Sequence, residues 1–252
     1  RAGVQEFRIT QEIDGEPVER LVIIHAPSRI ENDHLYPVFF AFHGNGGNPN
    51  GFSQQFRNHV DAHEFVGVYP EGHLQSWNLG PERSTADDKA FVNAIISELN
   101  RYPQLHPTER YAFGSSNGAG MVHKLGVETR HFRGIAAVAT ALLADGGPNR
   151  DSGQLSVLQV HGMNDQLCPY DGGDSRVGHR FMSAEDSIAT WAEHNDCDHE
   201  PRQMNTNEGN RRIEYSQCAD GVRVLHYGIV DAGHGVPRQT EGGLPELVLT
   251  FF

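Results

Sequence analysis

The amino-acid sequence predicts an α/β fold: a mostly parallel central sheet with an N-terminal antiparallel hairpin and helices on both faces. Two observations carry this prediction. Short, continuously apolar runs alternate with amphipathic stretches of helical periodicity, which is typical of βαβ units with strands buried on both faces. Residues 4–26 instead alternate apolar and polar side chains around the turn sequence DGE, as an antiparallel hairpin does.

The first half of the chain then supplies two strands and two helices. Residues 38–42 (VFFAF) predict a buried strand that ends in the glycine-rich sequence HGNGGN. A short helix over roughly 52–63 leads to a second strand at 65–70, and residues 71–86 are predicted to be loop. Residues 87–102 predict an amphipathic helix, whose acidic first turn matches the helix dipole.

The same alternation continues to the carboxyl end. Predicted strands lie at 110–114, 134–140 and 155–162, with a late strand pair at 212–217 and 222–230, and predicted helices lie at 117–129, 184–195 and 245–252. No repeat, low-complexity segment or linker interrupts this pattern. We therefore expect residues 1–252 to form a single domain.

Charge and composition exclude several classes of protein. The 252 residues carry 33 acidic against 20 basic side chains, a net charge of −13, with no block rich in Lys or Arg. Such a chain is not expected to bind nucleic acid or an anionic membrane surface, and a neutral or polymeric substrate is favoured. With 37% hydrophobic residues it can build a core, but no apolar run is long enough to span a bilayer.

The three cysteines bear on compartment and stability. Cys197 and Cys218 enclose a polar stretch with little to pack on, so a disulfide is expected there, the alternative being two buried free thiols. Cys168 is then an unpaired loop residue. The chain begins at Arg1 with no recognisable signal peptide, and we expect a leader to have been removed or left out, and a secreted or periplasmic location.

Residues 111–120 (YAFGSSNGAG) contain the pattern G-x-S-x-G in a single register. Gly114 and Gly118 flank Ser116 two positions away on each side, whereas Ser115 has Phe113 and Asn117 at those positions. A nucleophilic serine on a sharp strand-to-helix turn needs small residues there, because side chains would collide with neighbouring backbone. The pattern lies between a predicted strand and a predicted helix, so Ser116 is the candidate nucleophile.

A serine hydroxyl needs a general base, and the base needs an orienting carboxylate. Asp165 follows the predicted strand 155–162, and His234 follows the predicted strand 222–230. The carboxyl ends of parallel strands share one edge of a sheet, so both side chains are expected beside Ser116. The weaker alternatives are His161 as base and Asp231 as acid.

An oxyanion hole needs two backbone N–H donors. Asn117, directly after the nucleophile, is one candidate, and Asn45 in the loop after strand 38–42 is the other, with Gly44 as the alternative. Trp77 and His43 are candidates for substrate binding. An exposed Trp77 indole would stack on an aromatic acyl group or a sugar, the alternative being that it packs under a loop. His43 is expected to hold the oxyanion loop by hydrogen bonds rather than to transfer protons.

Metal-binding patterns are weak. His59 and His63 are four residues apart on a predicted helix, and residues 194–200 (HNDCDHE) crowd possible ligands together. Neither matches a zinc pattern with an open catalytic position. We expect no metal and no cofactor.

These motifs resemble, over nearly the whole chain, the esterase family of the α/β-hydrolase fold that includes feruloyl esterases, acetylxylan esterases and polyhydroxybutyrate depolymerases. The matching segments are YPVFFAFHGNGG, FVGVYPEG with SWN, DDKAFVNAIISEL, GSSNGAG, HGMNDQLCPYDGG and AGHGVP. The resemblance implies the triad Ser116, Asp165 and His234, and a disulfide between Cys197 and Cys218. Two departures concern specificity: Val236-Pro237 replaces the family's Trp-Pro, and the segment after SWN lacks a cysteine.

The expected function is serine ester hydrolysis through an acyl-enzyme, on feruloyl or acetyl esters of plant polysaccharide. The alternatives are a polyester depolymerase and, in another class, a catalytically silent binding protein for carbohydrate or polymer. A peptidase or thioesterase on the same fold is less favoured. A monomer is expected, with a pocket shaped by residues 71–86 and 165–182.

Overall fold

The computed structural model describes residues 2–31, 33–235, 240 and 242–252. Its strands are β1 (Gly3–Ile13), β2 (Glu16–Ala26), β3 (Tyr36–Phe42), β4 (Val66–Pro70), β5 (Leu105–Ser115), β6 (Gly134–Val138), β7 (Ser156–Gly162), β8 (Gly173–Asp174), β9 (Arg180–Phe181), β10 (Arg202–Asn205), β11 (Arg211–Tyr215) and β12 (Val224–Ile229). Its α-helices are α1 (Pro49–Gln55), α2 (Arg57–Asp61), α3 (Asp88–Leu99), α4 (Asn117–Glu128), α5 (Ala184–His194) and α6 (Leu244–Phe251). Most of these elements lie where the sequence predicts them.

One sheet organises the described residues, with strand order β1-β2-β4-β3-β5-β6-β7-β12-β11-β10. The six central strands from β4 to β12 run parallel, while β1, β2, β11 and β10 add antiparallel pairs at the two edges. The predicted fold class, including the N-terminal hairpin, is confirmed. Because parallel strands end at one edge, the loops after β5, β7 and β12 meet there.

Alternate residues of the buried strands pack into two separate apolar layers. On β3, Phe40 and Phe42 face a layer containing Phe91 of α3 and Trp191 of α5. Phe39, directly before Phe40 in sequence, faces the opposite layer with residues of α2 and α6. This period of two places helices on both faces of the sheet, as the continuous apolar runs predict.

Three local predictions need correction. The helix expected at 52–63 is two helices, and it begins earlier because Asn48 caps the N–H of Asn50 and Pro49 suits the first helical position. The helix is interrupted at Phe56, whose fully buried ring packs against Phe39. The strand expected at 110–114 is longer and forms β5. The sequence does not predict β8, β9 or β10, because β8 and β9 have two residues each and β10 is exposed throughout, so none of them has an apolar pattern.

Cys197 and Cys218 form a disulfide, as predicted, and Cys168 is free and buried. The disulfide joins the end of α5 to the segment before β12 and closes the loop that contains β10 and β11. Among the helices of the described residues, none is long and apolar enough to cross a membrane.

Candidate active site

Ser116 occupies a strained turn between β5 and α4. Its backbone dihedrals are φ 54° and ψ −121°, a conformation that residues other than glycine rarely adopt. Its backbone N–H donates to the carbonyl of Val138 at 2.8 Å. A Cβ on Gly114 would lie 2.1 Å from the carbonyl oxygen of Gly118, and one on Gly118 would lie 2.1 Å from that of Phe42. The two glycines are therefore sterically required for this turn.

The structure brings Ser116, His234 and Asp165 into one hydrogen-bonded chain. Ser116 Oγ lies 2.7 Å from His234 Nε2, and His234 Nδ1 lies 2.8 Å from Asp165 Oδ2. Each separation suits proton transfer or a charge-assisted hydrogen bond. Asp231, the alternative acid, is exposed and has no hydrogen bond or ion pair with His234.

Asp165 is buried, yet its surroundings favour the carboxylate. Its Oδ1 accepts backbone N–H groups of Leu167 and Cys168 at 2.8 and 2.9 Å, and its Oδ2 faces both His234 and His161. Burial opposes the charge, but the hydrogen bonds from the two histidines and the two amides hold the pKa of Asp165 well below its usual range. A fixed negative charge therefore faces His234.

His161 contacts Asp165 rather than Ser116. Its Nε2 lies 2.9 Å from the carbonyl oxygen of Cys168 and 3.2 Å from Asp165 Oδ2. Because a carbonyl only accepts, this nitrogen carries a proton and donates to both oxygens. The imidazole thereby holds the loop that presents Asp165.

The pKa of His234 is raised. Burial favours its neutral form, but the hydrogen bond and negative charge of Asp165, with a further contribution from the Cys168 thiol, raise the pKa of His234 to about 9. The arrangement thus stabilises the imidazolium that forms when this histidine accepts a proton. That is the electrostatic property required of a general base beside a serine.

The glycine-rich loop after β3 lies against Ser116. A Cβ on Gly44 would be 3.5 Å from the Cβ of Ser116, and Asn45 borders the same cavity as Ser116. Asn117 is the first residue of α4, at the positive end of the helix dipole. The three candidate N–H donors, Gly44, Asn45 and Asn117, therefore all lie near Ser116.

His43 is buried and absent from the cavity wall, so the interpretation of this residue as substrate-binding is wrong. Its Nδ1–H donates to the carbonyl of Gly44 at 2.8 Å, and its Nε2 accepts the N–H of Gly72 at 3.0 Å. Burial lowers the pKa of His43, which keeps the ring neutral in this role. The side chain holds the glycine-rich loop after β3 against the loop after β4.

Trp77 is also buried, with 0% of its surface exposed, so the expected exposed indole is wrong. Its Nε1–H donates to the carbonyl of His43 at 2.8 Å, and its ring packs edge-on against Phe42. The side chain of Asn117 accepts the N–H of Trp77 and donates to its carbonyl. Trp77 therefore supports the site from beneath, the alternative that the sequence left open.

A cavity of about 590 Å³ opens above Ser116 between two loops. Its apolar walls come from the loop after β4 and from the β8–β9 region, including Leu79, Pro81, Val177 and Phe181. Glu82 Oε1 pairs with His179 Nε2 at 2.5 Å in the wall of this cavity. These two residues are 97 positions apart in sequence, and no local pattern could have identified them.

Among residues 2–31, 33–235, 240 and 242–252, no group of three or more His, Cys, Asp or Glu side chains could hold a metal ion. His59 contacts Glu64 and Glu246 instead. Val236-Pro237, the sequence departure after the histidine, lies outside the described residues.

The known proteins that are similar to this chain in sequence or in fold include several esterases. No family model matches the chain. Feruloyl esterase B of Piromyces equi is 31% identical over 231 residues, 85% of this chain and 42% of that protein. Feruloyl esterase C of Emericella nidulans is 26% identical over 92% of this chain and 83% of that protein. An acetyl xylan esterase from Aspergillus awamori shares the fold, with a TM-score of 0.67 at 13% identity over 98% of this chain and 100% of that one. The chain thus spans less than half the length of the Piromyces protein.

Proposed function

We propose that this chain, which belongs to the α/β-hydrolase esterase family that includes the feruloyl esterases, is a serine carboxylic-ester hydrolase. The observation that carries the proposal is the hydrogen-bonded chain Ser116–His234–Asp165 at the floor of an open cavity. We further propose that residues 1–252 act as one catalytic domain without a cofactor. The disulfide supports a secreted or periplasmic location.

Acylation begins when Ser116 Oγ attacks the ester carbonyl while His234 Nε2 takes the hydroxyl proton. Asp165 stabilises the imidazolium through Nδ1, and the carbonyl oxygen becomes an oxyanion held by the backbone N–H groups of Asn45 and Asn117. The tetrahedral intermediate then collapses, the C–O bond to the alcohol breaks, and His234 returns its proton to the departing alkoxide.

Deacylation repeats the chemistry with water as nucleophile. His234, neutral again, removes a proton from a water that attacks the acyl carbonyl, and the same N–H groups hold the second oxyanion. The bond to Ser116 Oγ breaks, and the serine recovers its proton from His234. The free acid leaves, so atoms and charge balance without a metal or other reagent.

The substrate class that we favour is a feruloyl or acetyl ester on plant polysaccharide. The cavity lies within the usual volume for small ligands, and its side walls of Leu79, Pro81, Val177 and Phe181 suit an apolar or aromatic acyl group. Relatives named feruloyl esterases support the same class. Methyl ferulate, acetylated xylan and hydroxybutyrate oligomers, ranked by kcat/KM, separate it from a polyester depolymerase.

Substitution of the nucleophile tests the reaction itself. Ser116→Ala should abolish enzymatic p-nitrophenyl acetate hydrolysis, because the hydroxyl that attacks the acyl carbon is then missing. Ser115→Ala, one residue away, is the matched control and should retain most of the activity. Thermal melting of both variants should stay close to that of the parent.

A fluorophosphonate probe supplies the second readout. It should label the parent and Ser115→Ala but not Ser116→Ala, with mass spectrometry locating the adduct at residue 116. Failure to label the parent would instead favour a catalytically silent binding protein. An active Ser116→Ala with an inactive Ser115→Ala would refute the assignment of the nucleophile.

A further inference from the structure

A second cavity, of about 440 Å³, lies at the opposite edge of the sheet from Ser116. It is bordered by residues at the beginnings of β5, β7 and β12, whereas Ser116 follows the end of β5. Arg110 in this cavity precedes Ser116 by six residues of extended chain, which corresponds to about 20 Å. The two cavities are therefore separate, and we call the second one the arginine cavity.

The charge of the arginine cavity is opposite to that of the protein. Its lining contains four arginines (Arg110, Arg130, Arg133 and Arg223) and one carboxylate, Asp220. The side chains of the lining thus carry a formal charge of +3 (four positive less one negative), on a chain whose net charge is −13. Such a concentration of one sign in a concave site attracts the opposite charge.

These guanidinium groups have few carboxylate partners. Three of them donate to neutral oxygens: Arg110 to Asn100 Oδ1 (2.7 Å), Arg130 to the carbonyl of Asp151 (3.2 Å) and Arg223 to the carbonyl of Phe251 (3.1 Å). Among the described residues, none of the three forms an ion pair, and Arg133 has only a long contact of 3.9 Å to Glu109. Arg110 is also partly buried, so its charge is neither fully hydrated nor neutralised.

The remaining walls match a sugar rather than a bare ion. The rings of Tyr111 and Phe252 lie 4.7 Å apart at the cavity, and Ser156, Thr108 and Gln154 bring hydroxyl and amide groups to it. Aromatic faces beside hydroxyl-binding groups can contact both the C–H and the O–H groups of a pyranose ring. Planar guanidinium groups bind planar carboxylates with two parallel hydrogen bonds.

We propose that the arginine cavity binds uronic-acid residues of an acidic polysaccharide. The carboxylate contacts Arg110 and Arg223, and the sugar ring lies against the aromatic wall. This binding is independent of the chemistry at Ser116 and would hold a polymer on the face of the protein opposite to the catalytic cavity. Because the protein as a whole repels polyanions, attraction is confined to this cavity and weakens as salt screens it.

Isothermal titration of the whole chain at low salt tests the proposal. Oligogalacturonate should bind, while a neutral xylo-oligosaccharide of equal length should bind at least about tenfold more weakly. Inorganic phosphate is the third arm, since arginines also bind phosphate. If phosphate binds as tightly as oligogalacturonate, or the neutral oligosaccharide does, the assignment to uronic acids is overturned.

Arg110→Gln/Arg223→Gln should weaken oligogalacturonate binding at least about tenfold, because each change removes a charge-assisted hydrogen-bond donor. The matched control is Arg8→Gln/Arg29→Gln, which removes the same charge at exposed positions outside the cavity lining and should change the dissociation constant less than about twofold. Hydrolysis of p-nitrophenyl acetate reports whether each variant is folded. If the first pair fails to fold, the exposed pair Arg130→Gln/Arg133→Gln replaces it, and unchanged binding in a folded cavity variant refutes the proposal.

Discussion

Removal of the Cys197–Cys218 disulfide should lower the free energy of unfolding by about 3 kcal/mol. The magnitude follows from the sequence separation of 21, because the crosslink limits the conformations that the unfolded chain can adopt in a loop of that length. For a chain of this size, the loss corresponds to a decrease in Tm of roughly 6–12 °C. The stabilisation acts mainly through the unfolded state.

Two perturbations separate the effect of the crosslink on the entropy of the unfolded chain from the effect of the cysteine side chains on packing in the folded state. Reduction of the parent protein removes only the crosslink, whereas Cys197→Ala/Cys218→Ala also removes side-chain contacts of the buried Cys197. We expect the double variant to lose up to about 1 kcal/mol more than the reduced parent. Urea unfolding followed by far-UV circular dichroism, with and without a reducing agent, measures both losses. The double variant should not respond to the reducing agent.

A loss below about 1 kcal/mol in both the reduced parent and the double variant would refute the loop-entropy reasoning. It would mean that the unfolded chain already keeps residues 197 and 218 close together. Mass spectrometry without reduction should first show the two cysteines linked. Cys168 is free in every sample and therefore does not contribute to the difference.

Two further predictions concern the catalytic site. Because the pKa of His234 is raised to about 9 and the base must be neutral, kcat/KM should increase with pH up to that value. At two pH units below the pKa about 1% of the histidine is neutral, so kcat/KM at pH 7 should be about one-fiftieth of that at pH 9. Trp77→Phe should lower kcat more than it raises KM, because the carbonyl of His43 loses its donor and the oxyanion loop shifts.

Each of these has its own control. Ester hydrolysis measured with Ser116→Ala gives the background to subtract at alkaline pH, and a profile with its midpoint near pH 6.5 would contradict the raised pKa of His234. Trp191→Phe is the matched variant for Trp77→Phe, since Trp191 is equally buried and donates its indole N–H to His123. Equal loss of kcat in both variants would show a general loss of stability rather than an effect on the oxyanion loop.

Much of the site could be predicted because its chemistry follows from local sequence. Gly114 and Gly118 mark the strained turn by their spacing alone, and the structure supplies the cause, since a Cβ at either position would overlap backbone atoms. Asp165 and His234 lie far from Ser116 in sequence, but each follows a buried parallel strand. Such strands end at one edge of a sheet, so their order in the chain is enough to predict that the loops meet.

The incorrect predictions concern side chains whose surroundings come from distant segments. Nothing near Trp77 in sequence shows that the carbonyl of His43 accepts its indole N–H, so the burial of Trp77 could not be predicted. The pairing of Glu82 with His179 depends on the approach of two loops. The helix break at Phe56 depends likewise on a ring that packs against β3.

The sequence by itself determined the fold class, the strained serine turn and the sheet edge at which the three triad candidates meet. These follow from periodicity, from steric limits on a few neighbouring residues and from the direction of parallel strands. Only the tertiary structure decided that Trp77 lies buried beneath the loop after β3, and that His161 holds Asp165. It also decided that four arginines scattered between positions 110 and 223 share one cavity. Contacts of this kind depend on how separate loops pack together, and that packing leaves no periodic pattern in the chain.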